Sequence, residues 1–198
     1  RDYAVTGVQT CALPIWYNYD KDKATKLLEE AGYPNGKGLS LKLTISNEET
    51  QKLIGEAVQA QLKDVGIDVR LDFIQGSTLR SSQVGGELAF WRANWGADYF
   101  DPENFMALFY SKNKTPNGPN YTHYSNPKTD SLYDIGMRET DFAKRKIAYN
   151  EMERIIMEDA PWILLIYNEI IYLKSRRIQN MYIDGLNNLI LRWGKIKQ

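Results

Sequence analysis

Residues 41–73 read LKLTISNEETQKLIGEAVQAQLKDVGIDVRLDF, and this stretch decides the fold class. Its first part, Leu41 to Ile45, alternates apolar and polar side chains, as a half-buried strand does. From Glu49 to Val65 the apolar side chains recur at helical spacing, and Gly66 follows as a helix end. Residues 67–73 alternate again. A long helix between two strands favours parallel pairing of those strands in an α/β sheet.

Outward from this unit, the same two periods and the turn residues between them predict the remaining elements. Upstream, Asp20 precedes a helical pattern that reaches Ala31. Downstream, the predicted order is a short helix near Ser77 to Gln83, a strand from Glu87 to Trp95, a helix from Asp101-Pro102 through Phe109, an exposed loop from Ser111 to Pro127, helices from Thr129 to Glu139 and from Phe142 to Asp159, a buried strand from Trp162 to Leu173 and a short strand from Asn188 to Trp193. The inward side chains predicted for the last helix are Ile147, Met152, Ile155 and Ile156.

The charge composition excludes several classes of function. The chain has 25 basic and 25 acidic side chains, unlike the basic surface that nucleic acid or an anionic membrane would select. No apolar run approaches the roughly 20 residues of a membrane span. The 13 Tyr and 5 Trp are compatible with an aromatic core and with a pocket for an organic ligand.

Residues suited to metal binding or nucleophilic catalysis are scarce. Cys11 is the single cysteine and His123 the single histidine, so neither an internal disulfide nor a metal site is expected. The sequence has no GxSxG, HExxH or P-loop motif, and no cofactor is predicted. A hydrolase that uses Asp98 and Asp101 as a carboxylate pair is the enzymatic alternative. Asp101 stands before Pro102, however, and is better explained as a helix cap.

Residues 1–15 read RDYAVTGVQTCALPI and follow neither the helical nor the strand period. They resemble the translation of a sequencing-adapter read-through, and they are predicted to be non-native, Cys11 included. No basic-then-apolar leader begins the chain. The expectation is that further native sequence precedes Trp16.

The segment from Arg92 to Tyr99 reads RANWGADY and follows a predicted strand, the place where open α/β sheets usually contact ligands. Each of its residues also has a purely structural explanation. Asp98 is a common turn residue, and Arg92 is compatible with a surface position at a strand end. Trp95 and Tyr99 are compatible with core rings. The residues alone leave both explanations open.

Four segments carry a resemblance to one family. In order, they are YDKDKATKLLEEAGYPNGKG, EAVQAQLKDVGIDVRL, WRANWGADYFDPENF and YSNPKTDSLYDIGMRETDFAKRKIAYNEMERIIMEDAPWILLIY. Over residues 16–198 the chain resembles the solute-binding proteins of peptide and nickel ABC importers, the oligopeptide-binding type in particular. Four segments in the family's order and spacing are far more specific than any one of them.

The resemblance implies an α/β fold of the periplasmic-binding-protein-like type II, in which two lobes close on a ligand as a clamp. It places residues 16–173, with a hinge strand near their end, in the second lobe. Residues 174–198 are expected to form a C-terminal segment that returns to the first lobe.

The same resemblance assigns ligand contacts to four residues. Asp98 matches the Asp that pairs with the α-ammonium group of a bound peptide, and Trp95 matches a Trp that packs against the ligand. Arg92 matches an Arg near the ligand's C-terminal carboxylate, a group that its planar fork binds well. Tyr99 is expected to donate a hydrogen bond to the ligand backbone, and His123 to be structural or peripheral to the pocket.

The implied function is capture of oligopeptides and their delivery to the transmembrane permease subunits of an ABC importer, without catalysis. The implied location is the periplasm or the outer face of the cytoplasmic membrane, with membrane attachment only through a lipid anchor upstream. The alternative is the same fold with a non-peptide solute: an oligosaccharide, an opine or a nickel chelate. The further alternative is the hydrolase with Asp98 and Asp101.

Overall fold

The computed structural model describes residues 17–167, 173–186 and 188–197. The predicted adapter-derived segment, residues 1–15, lies outside the described residues. The chain divides into two compact units. The first unit comprises Tyr17–Trp95 and Lys114–His123, and the second comprises Gly96–Asn113 and the described residues from Tyr124 onward. The predicted division between residues 173 and 174 stays a prediction.

The first unit is built on a strand–helix–strand motif. Strand β1 (Ser40–Ser46) pairs in parallel with β2 (Asp68–Ile74), with Leu43 opposite Leu71, and helix α2 (Glu49–Lys63) connects them. The predicted parallel pairing is confirmed. Parallel neighbours need a crossover of about a dozen residues or more, and α2 supplies it.

The core of this unit lies where α2 covers the two strands. Leu43, Ile45 and Val69 are its buried centre. The side chains packed around them are Leu41, Val58, Leu62, Ile67, Leu71 and Phe90. Helix α1 (Lys21–Glu30) is capped by Asp20, whose carboxylate accepts from the backbone N–H of Lys23 at 2.9 Å. Helix α3 (Gly76–Val84) follows β2.

The turn after α2 requires glycine. Gly66 has a φ of +84°, and a Cβ there would lie 1.9 Å from the backbone oxygen of Asn35. Only glycine adopts this φ freely and permits so close an approach. The short 3-10 helix Pro34–Gly36 therefore packs backbone to backbone against this turn.

The strand predicted from Glu87 to Trp95 is wrong in extent. A single parallel bridge joins Thr44 to Trp91. The Thr44 N–H donates to the carbonyl of Phe90, and the Arg92 N–H donates to the carbonyl of Thr44, both at 3.0 Å. Bends at residues 89 and 90 turn the backbone immediately before this bridge, so the alternating side chains do not extend into a ladder.

The loop predicted to be exposed from Ser111 to Pro127 is partly buried. Thr115 and Asn120 are both buried, and the Thr115 N–H donates to the Asn120 carbonyl at 3.4 Å. Thr115 Oγ1 lies 2.9 Å from Nε2 of His123, within hydrogen-bonding distance. Polar loop residues tolerate burial when they hydrogen-bond to one another, which a composition rich in Asn, Lys, Pro and Gly does not reveal.

The second unit is mainly helical. Helix α4 (Glu103–Met106) continues into the 3-10 turn Ala107–Phe109, and helices α5 (Pro127–Arg138) and α6 (Phe142–Asp159) pack against each other. These three predicted helices are confirmed. Asn126 caps α5 and Asp141 caps α6, each accepting from a backbone N–H of the first turn at 2.9 Å. The fully buried apolar side chains are Leu108, Phe109, Met152 and Ile156.

Gly136 sets the distance between α5 and α6. A Cβ on Gly136 would lie 2.3 Å from Cε1 of Tyr149, so the Tyr149 ring packs on the bare backbone of α5. Tyr149 and Ala148 face inward, whereas the predicted inward residue Ile147 is 69% exposed. The prediction for Ile147 is wrong because residues five apart are about 140° apart on a helix, so Ile147 and Met152 point in different directions.

The C-terminal part of the second unit holds short strands. Strand β3 (Ile178–Gln179) pairs antiparallel with β6 (Lys195–Ile196), and β4 (Tyr182–Ile183) pairs antiparallel with β5 (Leu189–Ile190). Of the buried strand predicted from Trp162 to Leu173, residues 168–172 lie outside the described residues, and 162–167 form no strand. Within the described ranges, no helix is long and apolar enough to cross a bilayer.

Candidate functional site

The four predicted ligand-binding residues lie on eight consecutive positions that cross from one unit to the other. Arg92 and Trp95 close the first long segment of the first unit, and Asp98 and Tyr99 lie near the start of the second unit. Arg92 and Trp95 are half-buried, whereas Asp98 and Tyr99 are exposed. The segment therefore combines partly enclosed side chains with solvent-facing ones.

Arg92 is held at its backbone and along its side chain. Its N–H donates to the Thr44 carbonyl at the C-terminal half of β1. Its Nη1 donates to the carbonyl oxygen of Ala93 and to Oδ1 of Asn94. Burial lowers the pKa of the Arg92 guanidinium, although an arginine stays charged at any physiological pH.

Two buried polar atoms of the first unit have no hydrogen-bond partner among the described residues, namely Nε of Arg92 and Oγ1 of Thr44. They belong to residues joined by a backbone hydrogen bond, and Thr44 is 1% exposed. An unsatisfied buried donor or acceptor costs about 1–3 kcal/mol, so these two atoms lower the stability of the first unit. Sequence reasoning did not single out Thr44, because alternation alone gave it the role of an outward strand residue.

Asp98 has a free carboxylate. It is exposed, and within residues 17–167, 173–186 and 188–197 its side chain makes no hydrogen bond or ion pair. Its carboxylate is not used as the cap of a turn or helix, which was its structural explanation. The charge is therefore available to a cation from outside the described chain.

Tyr99 is engaged by a carboxylate of the same unit. Its hydroxyl donates to Oε2 of Glu103, and the hydroxyl of Tyr133 on α5 donates to Oε1 of the same carboxylate. The hydrogen bond to Glu103 raises the pKa of Tyr99. Burial, together with the Glu103 hydrogen bond, raises the pKa of Tyr133. Both phenols are thus neutral donors at neutral pH.

Asp101 is committed to structure. Its Oδ1 accepts from the Glu103 N–H at 2.8 Å, so it caps α4 as the sequence predicts. Arg145 on α6 binds it in a two-pronged arrangement, with Nη1 at 2.5 Å and Nη2 at 2.8 Å from the two carboxylate oxygens. Burial opposes ionisation of Asp101, but the hydrogen bonds from Arg145 and Glu103 outweigh it and hold the pKa of Asp101 below its usual range.

These contacts argue against a catalytic pair of Asp98 and Asp101. A paired carboxylate mechanism needs a proton donor with a raised pKa, and Asp101 is held ionised by Arg145. Elsewhere in the described chain, no group of three or more His, Cys, Asp or Glu is arranged to hold a metal ion. The arrangement supports binding of a cation at Asp98.

Comparison with known proteins gives the class first. Several solved structures that match this chain are peptide-binding proteins by name or by their bound peptide. The oligopeptide-binding protein OppAIV of Borrelia burgdorferi matches with a TM-score of 0.67 and 35% identity over 73% of this chain and 29% of that one. Haemophilus influenzae OppA, solved with the peptide RPPGFSPFR, matches with a TM-score of 0.72 and 28% identity over 90% of this chain and 35% of that one. The periplasmic-binding-protein-like type II fold is confirmed.

The family follows from a model match. Residues 3–117, more than half of the chain, match the bacterial extracellular solute-binding proteins, family 5 Middle. The chain belongs to this family, and the predicted resemblance is confirmed. Among curated proteins it is similar to the glutathione-binding protein GsiB of Pectobacterium atrosepticum, with 28% identity over 83% of this chain and 33% of that protein. The chain thus spans about a third of the length of the curated relatives it matches.

Proposed function

We propose that this chain is part of the substrate-binding component of an ABC importer, which captures oligopeptides and delivers them to the transmembrane permease subunits. Such a protein acts in the periplasm or on the outer face of the cytoplasmic membrane, and it performs no catalysis. Support comes from the family and from relatives whose names state that they bind oligopeptides or glutathione, itself a peptide with a free ammonium group.

The observation that carries the proposal is the free carboxylate of Asp98. Three acidic residues lie within six positions of the chain, and two of them, Asp101 and Glu103, are engaged by side chains of α5 or α6. Asp98 alone of the three is unengaged within the described residues. A carboxylate left open beside two that already have side-chain partners suits an ammonium group, which it binds by charge-assisted hydrogen bonds.

The other three residues have supporting roles in the proposal. Trp95 packs its ring against the ligand, and Tyr99 contacts the ligand next to Asp98. Arg92 binds the terminal carboxylate of the peptide through the planar fork of its guanidinium group. One segment thus offers a partner for the ammonium group of a ligand and another for its carboxylate group. This combination favours a peptide over an oligosaccharide or a metal chelate.

Calorimetry on a grafted protein tests the proposal. Residues 17–197 replace the aligned segment of the Haemophilus influenzae protein, which supplies the remaining length, and circular dichroism verifies folding. Mixed tri- to pentapeptides are titrated beside their N-acetylated forms. We expect binding of the free peptides, and a loss of roughly tenfold or more in affinity on acetylation, because a charged hydrogen bond contributes about 1.5–3 kcal/mol.

Two substitutions make the test specific. Asp98→Asn keeps the shape of the side chain and removes its charge, so it is expected to abolish the preference for free amino termini. Asp68→Asn, at an exposed position of the first unit, is the matched control and leaves binding unchanged. A folded graft that binds no peptide contradicts the peptide assignment. Equal binding of free and acetylated peptides contradicts the role of Asp98.

A further inference from the structure

The hydroxyl of Tyr99 has only one proton, and Glu103 receives it. Tyr99 is 46% exposed as a residue, and its hydroxyl proton points to Oε2 of Glu103. A phenol that donates in one direction has only lone pairs left for another partner. In this state Tyr99 accepts hydrogen bonds and does not donate them. The expectation that Tyr99 donates to a ligand backbone conflicts with this geometry.

Glu103 is itself fixed from the opposite side. Its Oε1 accepts the hydroxyl of Tyr133, and the Tyr133 ring stacks on Tyr110 with centroids 4.2 Å apart and an interplanar angle of 24°. Its backbone N–H donates to Asp101, which Arg145 holds through both carboxylate oxygens. The Glu103 carboxylate is therefore held by Tyr133 of α5, and it cannot turn to follow a rotating Tyr99 hydroxyl without breaking that hydrogen bond.

From this geometry we propose that Glu103 is a positioning residue for recognition of the ligand, because it keeps the Tyr99 hydroxyl oriented as an acceptor. The inference rests on the proposed function and deepens it. Asp98 and Tyr99 then present only acceptors to the ligand. A protonated amino group, which has three N–H donors and no acceptor, satisfies such a pair of neighbours. An N-acetylated terminus replaces those donors with one N–H and a carbonyl oxygen.

The proposal separates two contributions to selectivity. Asp98 attracts the positive charge, whereas Glu103 prevents Tyr99 from accommodating a carbonyl oxygen. With Gln at position 103, one end of the side chain becomes an NH₂ donor, so Tyr99 and Tyr133 compete for the single remaining acceptor oxygen and the hold on the Tyr99 proton weakens. Tyr99 is then free to donate to an acetyl carbonyl, so discrimination against acetylated ligands weakens even though Asp98 is untouched.

NMR spectroscopy of the full chain, with ¹³C at the Cζ atoms of tyrosine, tests the proposal. The probes are trialanine and N-acetyl-trialanine, and Tyr99→Phe assigns the reporting signal. In the wild-type chain, we expect the Tyr99 signal to respond to trialanine at least roughly tenfold more tightly than to the acetylated form. In Glu103→Gln, we expect this ratio to fall to roughly threefold or less, with a changed Cζ shift for Tyr99 before any peptide is added.

The matched control is Glu158→Gln, which alters an exposed carboxylate of α6 whose one side-chain partner among the described residues is Arg154. It is expected to leave the ratio unchanged. If Glu103→Gln changes the Tyr99 shift but not the ratio, hydroxyl orientation does not set selectivity and the inference is overturned. If, in addition, Asp98→Asn removes the preference, the proposed function stands without this refinement. If the wild-type chain responds to neither peptide or to both equally, the inference is overturned, and calorimetry on the graft decides the proposed function separately.

Discussion

Asp98 and Asp101 are the same residue type three positions apart, yet their surroundings give them opposite roles. Asp101 receives two hydrogen bonds from Arg145 and one from a backbone N–H, so its charge is compensated inside the unit. Asp98 has no such partner among the described residues. A compensated carboxylate organises the chain, and an uncompensated one remains available to a ligand.

Removal of the Arg145 side-chain charge should destabilise the second unit. Breaking a buried ion pair costs about 3–5 kcal/mol. Arg145 and Asp101 are only partly buried, with side-chain exposures of 22% and 29%, so we expect Arg145→Met to cost about 2 kcal/mol of unfolding free energy. Urea denaturation measures the loss. Arg154→Met removes two exposed ion pairs on the same helix, with Glu151 and Glu158, and is expected to cost much less than Arg145→Met because solvent screens exposed pairs. Equal losses in the two variants would contradict a structural role for the Arg145 pair.

The same ion pair predicts a dependence on pH. The folded-state pKa of Asp101 lies below its ordinary value of 3.8, so its contribution to stability is present above about pH 4 and is lost as the pH falls through the folded value. Asp101→Asn has no such contribution. The difference in unfolding free energy between wild type and Asp101→Asn should therefore be largest near neutral pH and shrink below pH 4. Urea denaturation at a series of pH values measures it, and a difference that is constant down to pH 2.5 would refute the assignment.

At this scale the sequence predicts local contacts and misses distant ones. The Asp101 cap follows from Asp-Pro at a helix start, and the structure has it. The Arg145 contact joins residues 44 positions apart, and the Lys144-Arg145-Lys146 run gives no sign of it. The sequence likewise shows Glu103 as an acidic residue in a first helical turn and does not indicate its contacts with Tyr99 and Tyr133. Partners brought together by tertiary packing leave no signal in a local pattern.

At the scale of elements, the packing of α5 on α6 depends on the absence of a side chain at Gly136. Alanine in place of glycine inside a helix normally gains about 1 kcal/mol. Here the added Cβ would lie 2.3 Å from the Tyr149 ring, and Arg145 holds the hydroxyl of that ring at 3.2 Å, which restricts its retreat. Overpacking costs about 1–3 kcal/mol, so we expect a net loss of about 1 kcal/mol for Gly136→Ala.

Thermal unfolding monitored by circular dichroism checks the sign of this effect. Gly76→Ala is the matched control, because Gly76 lies in α3 with nothing within 4 Å of its added Cβ, so alanine there is expected to be neutral or stabilising. Stabilisation by Gly136→Ala would mean that Tyr149 moves aside without cost and that Gly136 does not set the separation of the helices.

The helices and the first two strands were predictable because each has a complete local signal. Helix α6 has the predicted bounds, since Asp141 marks its start and Ala160-Pro161 its end. The segment from Glu87 to Trp95 alternates as clearly as β1, yet it forms one bridge. Alternation reports which side chains suit a pleated surface, whereas a ladder also needs a neighbouring backbone in register over several residues. That second condition depends on how the bends at residues 89 and 90 direct the chain.

At the scale of the whole molecule, the family and fold were predictable because four spaced segments carry them, whereas the predicted ligand contacts rest on single residues. The chain spans about a third of the length of the curated relatives it matches. We expect the remaining length of such a protein to contribute to ligand binding. Family membership is thus a property of the sequence in hand. Affinity is a property of the longer protein, because it depends on how much of the ligand the chain can contact.

This distinction leads to the last prediction. The chain alone should bind trialanine at millimolar concentrations, and the graft in the Haemophilus influenzae protein should bind at least about a hundredfold more tightly, equivalent to about 2.7 kcal/mol. The gain comes from contacts that only the added length provides, while the preference for a free amino terminus should be the same in both, because Asp98, Tyr99 and Glu103 belong to this chain. Titration by NMR for the chain and by calorimetry for the graft measures both quantities. A preference that appears only in the graft would place the recognition of the ammonium group in the other protein's residues and remove that role from Asp98.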